Sequence, residues 1–272
     1  MMDSAKHGGA AQDAAGAVES ICAMFAAAGM PRLADGALYI GAPHGTLLGM
    51  RGALARQMEE SENTRFLNRM RYAGIARERT EHSFAFDEGG YPLMAPGLVG
   101  QALSLGFVKE RKNIVMAGPS GAGKTLLAIV LACKALRAGH SVKYRGAHDI
   151  VTDLQEARQG NSLSRYINRM QACDLLVIED ITYSDPDVKT AHDFFSIIDK
   201  RYCRKSTIVT TNGNVREWAE AFPDKKACAA ILGRLCEDAM LLNMNGAKDR
   251  RLLRAQGVLD GFERAAGNIG EA

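Results

Sequence analysis

Residues 118–125 read GPSGAGKT, and these positions decide the fold. They fit the pattern G-x-x-x-x-G-K-[ST], and the flanks fit as well: the apolar run NIVMA (113–117) leads in and the helical run TLLAIVLACKAL (125–136) leads out. Gly118, Gly121 and Gly123 allow a tight turn, and Pro119, Ser120 and Ala122 complete a loop whose backbone N–H groups can face phosphate oxygens. The helix that follows adds the positive end of its dipole at the same place. Lys124 supplies a charge for the β- and γ-phosphates of a nucleoside triphosphate, and Thr125 offers a hydroxyl to Mg²⁺. The bland alternative is a Gly-rich turn before a helix. That alternative has no need of Lys-Thr between a strand and a helix.

Working outward, short apolar runs alternate with helical stripes from Asn113 onward. The runs are NIVMA, SVKYR (141–145), DLLVI (174–178), STIVTT (206–211) and MLLNM (240–244). Leu163, Tyr166, Ile167 and Met170 form one helical stripe between them, and Phe194, Phe195, Ile198 and Tyr202 another. This rhythm predicts an α/β domain with a parallel sheet. LLVIED (175–180) places two acids at the end of a strand, where a phosphate loop needs a carboxylate to hold Mg²⁺ and polarise water. STIVTTN ends in Thr210, Thr211 and Asn212. If that strand lies between those of the loop and the acids, Asn212 stands beside the γ-phosphate and can orient the attacking water. Asn212-Gly213 is also a turn signal by itself, so both readings stand.

The remaining sequence bounds the partners. Of 272 residues, 34 are Lys or Arg and 31 Asp or Glu, so the net charge is +3. That excludes a histone-like tail or a polyacidic protein but leaves room for a local basic face. No apolar run approaches a membrane span, so no membrane partner is expected. The six cysteines show no zinc-like spacing and read as reduced thiols of a cytoplasmic protein. Residues 1–45 form an Ala/Gly-rich arm in which Val18, Ile21, Cys22 and Phe25 make one stripe of a short helix that Gly29 and Pro31 stop. Residues 46–88 are a helical region and linker. There Leu47, Met50, Leu54 and Met58 lie on one side, and Arg51, Arg56, Arg65, Arg69 and Arg71 are mixed with Glu59, Glu60 and Glu62 on the others. Such a face is commonly a solvated set of ion pairs, and DNA contact is the sharper alternative. Charge clustering singles out Arg65, Arg69 and Arg71, then Lys248, Arg251 and Arg254 in the basic tail 247–272.

The stretch from Ala73 to about Arg251 resembles the IstB/DnaC group of AAA+ ATPases, which includes insertion-sequence transposition helpers and helicase loaders. The matching phrases are AGIARERTEHSFAFDE (73–88), GPSGAGKT, SLSRYINRMQACDLLVIED (162–180), HDFFSIIDKRYCRKSTIVTTN (192–212), NVREWAEAFPD (214–224) and AAILGRLCEDAMLLNMNG (229–246). The last four are more similar to IstB-type helpers than to DnaC. The resemblance implies an AAA+ core over 89–246 with sheet order 5-1-4-3-2. It also implies Asn212 as sensor 1, Arg234 as an arginine finger reaching a neighbouring subunit, and Arg250 as a sensor-2-like arginine for which Arg251 competes. One departure stands out. The family's acid pair is usually two aspartates, and AAA+ proteins more widely use Asp then Glu, whereas here Glu179 takes the metal side and Asp180 the water-activating position. The longer Glu179 must fold back, and slow hydrolysis would follow if Asp180 reaches water less well.

The function implied is an ATPase that uses ATP and Mg²⁺, self-associates into an oligomer or filament on DNA, and recruits or stimulates a transposase. A loader of a replicative helicase would share the fold and differ in partner. A small-molecule P-loop kinase would need a mobile lid and would not need Arg234 at a subunit face. A nucleotide-binding module without turnover would show no DNA-responsive hydrolysis.

Overall fold

A computed structural model describes residues 4–76, 90–181, 186–212 and 223–247, with the side chains of 4–12 and 14 left aside. The chain divides into two compact units, Met1–Asn68 and Arg69–Ala272. Among the described residues no helix is long and apolar enough to cross a membrane, and the six cysteines are free thiols.

The first unit has a small core of its own. Helix α1 (Ser4–Ala27) begins well before the stripe read from the sequence and ends ahead of Gly29, whose φ of 75° turns the chain away. Its Ala17 and Ile21 are buried with Tyr39, from a 3-10 helix (Gly36–Tyr39), and with Leu47, from α2 (His44–Ala73); Val18, Cys22 and Phe25 pack against them. The Tyr39 hydroxyl donates to the Leu33 carbonyl at 2.7 Å, so the aromatic ring is buried without orphaning its polar end.

The second unit is built on five parallel strands: β1 (Ile114–Ala117), β2 (Val142–Gly146), β3 (Leu175–Glu179), β4 (Ser206–Thr211) and β5 (Met240–Asn243). Their order is β2-β3-β4-β1-β5, the expected 5-1-4-3-2 read from the other edge. Each run named from the sequence becomes one of these strands, shifted by a residue at most. The central strands are buried along almost their whole length because helices cover both faces, as parallel sheets require; β1 and β3 are mainly apolar, and β4 buries hydroxyls at both ends. Val115, Leu176, Ile178 and Val209 join a core with α6 (Ala147–Gln159), α7 (Leu163–Ala172), α8 (Val188–Arg201) and α9 (Lys225–Cys236), through Ile150, Leu154, Ile167, Phe194, Ile198 and Ile231. The alternate residues Ile114, Met116, Leu175 and Val177 are equally buried and point the other way. Helix α5 (Lys124–Arg137) packs on β2, β3 and β4. Two short helices, α3 (Leu98–Leu103) and α4 (Gly106–Glu110), precede β1.

Polar side chains tie the amino edge of this sheet. Asn113 donates to the carbonyls of Arg234 and Leu235 at the end of α9 and accepts from the Thr207 N–H at 2.9 Å. Arg201, only 1% exposed, donates to the carbonyls of Met170, Gln171 and Cys173 and to Thr207 Oγ1. Asp174, at the start of β3, accepts from Lys205 Nζ at 2.6 Å and from both the hydroxyl and the N–H of Ser141. The Lys205 hydrogen bond, with help from Ser141, holds the Asp174 carboxyl well below the usual carboxylate range. A depressed carboxyl stabilises the fold at pH values above its unfolded pKa, near 4, and that stabilisation fades as pH falls below it. Between about pH 5 and about pH 3, the urea midpoint of the wild type should therefore drop faster than that of Asp174→Asn. Parallel midpoint curves for the two proteins would remove this clip from the account of stability.

Candidate active site

The carboxyl ends of β1, β3 and β4 gather the phosphate loop, Lys124, Thr125, Glu179, Asp180 and Asn212. The phosphate loop leaves β1 and enters α5, with Gly121 at φ 83° and Gly123 at φ 96°, conformations that only glycine adopts without strain. Gly118 answers a different demand. A Cβ there would lie 2.8 Å from the Met244 backbone just past β5, so a side chain would push the loop off its neighbouring strand. The loop is further pinned by the Gly118 N–H, which donates to the Thr211 carbonyl at 3.3 Å, and by the Tyr91 hydroxyl, which donates to the Ala122 carbonyl at 2.7 Å.

Lys124, on the first turn of α5, is 6% exposed. Its Nζ donates to the carbonyls of Gly118 and Pro119 at 2.7 and 2.8 Å and to Asn212 Oδ1 at 2.8 Å. The same Asn212 amide donates through Nδ2 to Asp180 Oδ2 at 2.8 Å. One side chain thus joins the loop cation to the acid that follows β3, and Gly213, the other half of the turn signal, lies outside the described residues. Asp180 sits at φ 59°, a left-handed backbone for a non-glycine residue, with its N–H donating to Thr210 Oγ1 at 3.0 Å. Glu179 points instead to α5: its Oε1 accepts from Thr125 Oγ1, and its Oε2 accepts from the Tyr144 hydroxyl at 2.7 Å. The two acids therefore have separate surroundings, one beside the helix hydroxyl and the other beside the β4 amide.

The Thr125 hydroxyl and the Glu179 carboxylate form an all-oxygen donor pair. That fits Mg²⁺, a hard cation that takes one or two protein oxygens and completes its shell with phosphate oxygens and water.

Arg234 lies elsewhere in its own chain. It is on α9 at the amino edge of the sheet, whereas the phosphate loop follows the carboxyl end of β1. Its Nε donates to Asp199 Oδ1 at 2.7 Å, and its guanidinium carbon stands 4.7 Å from the centre of the Phe195 ring and 5.9 Å from that of Tyr202. Arg65, Arg69 and Arg71 are exposed along α2. Arg69 donates to the Leu136 carbonyl at 3.0 Å, and the Arg71 guanidinium carbon lies 5.6 Å from the centre of the Tyr72 ring. Lys248, Arg250, Arg251 and Arg254 lie outside the described residues, as does most of the 73–88 linker.

Two residues at the site escaped the sequence reading. In the sequence Tyr144 is only part of an apolar strand run, and Tyr91 sits in a Gly-rich approach with no local tie to the loop. A hydroxyl on a buried strand residue was the available signal for Tyr144, because such a group must find a partner.

A family model described as IstB-like ATP binding protein matches residues 47–256. The insertion sequence IS21 ATP-binding protein of Pseudomonas aeruginosa is 34% identical over 175 residues, covering 64% of this chain and 66% of that one. The corresponding protein of insertion sequence IS232 from Bacillus thuringiensis subsp. berliner is 37% identical over 148 residues, 54% of this chain and 59% of that one. The chain thus spans less than two thirds of the length of either relative. Among solved structures, AMPPCP-bound DnaA from Aquifex aeolicus superposes with a TM-score of 0.52 at 23% identity, over 62% of this chain and 50% of that one. DnaI superposes with a TM-score of 0.51 at 19% identity, over 62% and 94%. These likenesses are of fold, and the fold is that of an AAA+ P-loop domain.

Proposed function

We propose that this chain, which belongs to the IstB-like ATP binding protein family, is a transposition helper that assembles on DNA when it binds ATP and leaves it when it hydrolyses ATP. The observation that carries this reading is the convergence of Lys124, Thr125, Glu179, Asp180 and Asn212 on one phosphate loop, in a chain whose relatives are named for insertion sequences.

In this reading the loop N–H groups and Lys124 hold the triphosphate. Thr125 and Glu179 hold Mg²⁺, which neutralises phosphate charge when bound. Asp180 accepts the proton of the attacking water on a carboxylate oxygen, and Asn212 holds that carboxylate and the water in line. Arg234 is the finger for a neighbouring copy. Its Asp199 contact is exposed enough to exchange for a phosphate, since such surface pairs contribute little. Self-association into an oligomer or filament follows from that role. In this reading Arg65, Arg69 and Arg71, with Lys248, Arg251 and Arg254, contact DNA, the partners are DNA and a transposase, and the setting is the cytoplasm. Arg250 completes the nucleotide site as the sensor-2-like group.

Asp180→Asn tests the reading directly. An amide cannot take a proton from water, so hydrolysis should fall by about 10²–10⁴-fold while ATP affinity is kept. The stalled protein should stay on DNA longer than the wild type, with affinity that drops steeply as salt rises. ATPase rates and DNA-release kinetics measure both. Full turnover in Asp180→Asn with none in Glu179→Gln would reverse the two acids, and absence of DNA binding with ATP at low salt would remove the DNA role.

A further inference from the structure

Glu179 carries one methylene more than an aspartate would, and the extra torsion gives its carboxylate more ways to point. In the folded chain both of its oxygens are taken: Oε1 by Thr125 and Oε2 by Tyr144. Tyr144 is 5% exposed, on the strand next to β3, so its hydroxyl is fixed by packing rather than by chance contact. The strand register explains its reach. Gly146 stands directly across from Glu179, and Tyr144 lies two residues earlier on the same face of β2. Having no side chain, Gly146 leaves the space beside the carboxylate to the Tyr144 phenol. A Cβ at 146 would come within 3.0 Å of Asp149 Oδ2, so the Asp149 carboxylate would have to shift for any other residue there. Beside the pair lies a cavity of about 210 Å³, lined by Ile129, Tyr144, Gly146, Asp149 and Glu179 among others. Without a tether the Glu179 carboxylate has room to swing into that cavity and away from Thr125.

Resting on the reading of Thr125 and Glu179 as the Mg²⁺ side of the site, we propose that Tyr144 is a positioning residue. Its hydroxyl holds Glu179 in the one rotamer that presents Oε1 beside Thr125. The Tyr144 phenol, the bare Gly146 and the long carboxylate then form a set in which the phenol takes up the surplus reach of the glutamate.

The experiment measures the Mg²⁺ concentration needed for tight ATP binding by the full chain, with Mn²⁺ bound to the ATP complex followed by electron paramagnetic resonance. Tyr144→Phe should raise the metal requirement by roughly tenfold, the size of effect that one charge-assisted hydrogen bond supports. Its affinity for ATP in the presence of EDTA should be unchanged. In a Glu179→Asp background the shorter carboxylate no longer meets the phenol, so adding Tyr144→Phe should change the requirement little. An unchanged requirement in the Tyr144→Phe single variant, or an equal rise in both backgrounds, would overturn the proposal, the second outcome marking a packing effect. Glu179→Gln separates the two layers. If it leaves the metal requirement alone, the Mg²⁺ reading itself fails; if it raises the requirement while Tyr144→Phe does not, only the positioning role fails.

Discussion

Lys124→Ala is expected to weaken ATP binding by roughly 30- to 140-fold, the equivalent of losing about 2–3 kcal/mol of charge-assisted contact. The effect is large because the ammonium is already in place. It is 6% exposed and held by Gly118, Pro119 and Asn212, so it gives up little side-chain freedom when phosphate arrives. Backbone N–H groups point at the same oxygens but carry no net charge, and they cannot replace it. Nucleotide titration against the wild type gives the number, and unchanged affinity would reject the phosphate-loop assignment of Lys124. The same variant tests the shared site proposed for Arg234. Lys124→Ala and Arg234→Ala should each be inactive alone. Mixed, they form interfaces with one intact loop and one intact finger, and part of the ATPase activity should return. No recovery at any ratio, with co-assembly confirmed, would make each chain's site self-sufficient.

Arg201→Met is expected to have the largest effect on stability, a loss of about 3–5 kcal/mol. Arg201 joins three parts of the fold. Its guanidinium satisfies carbonyls of the last turn of α7, the Cys173 carbonyl before β3 and the Thr207 hydroxyl on β4. Helix ends leave carbonyls without intrahelical partners, and here burial also denies them water. Methionine fills the volume but donates nothing, so each orphaned carbonyl adds its own penalty of about 1–3 kcal/mol. The decline should be read as a shift in the urea midpoint with unchanged slope. A midpoint within error of the wild type would mean that water reaches these carbonyls and that the buried guanidinium is dispensable.

The contrast between Lys124 and Arg201 shows where the sequence was legible. GPSGAGKT, LLVIED and STIVTTN placed Lys124, Thr125, Glu179, Asp180 and Asn212 because each phrase carries its own chemistry on a strand end. The alternation of apolar runs gave the five strands, and the resemblance gave their order. Arg201 sits within Lys200, Arg201, Arg204 and Lys205, a run that reads as a solvated surface. Its burial depends on three segments far away in sequence, and no local period records that. Tyr144 was hidden for the related reason that its partner lies on the neighbouring strand, and strand pairing is not written in either strand alone. The first unit was readable as stripes, but the contact of Ile21 with Tyr39 and Leu47 was not.

The placement of β1 between β4 and β5 also shapes the order of events during synthesis. Ile114 pairs with Ile208 on one side and Met240 on the other, both far downstream. At about 5–20 residues per second, the ribosome takes several seconds to deliver those partners after β1 has emerged. Until then an apolar strand that is buried on both faces in the finished protein has two bare edges, the condition under which strands recruit foreign chains. A message broken before the codon for Met240 would release a polypeptide whose phosphate loop follows a strand with its β5 edge bare.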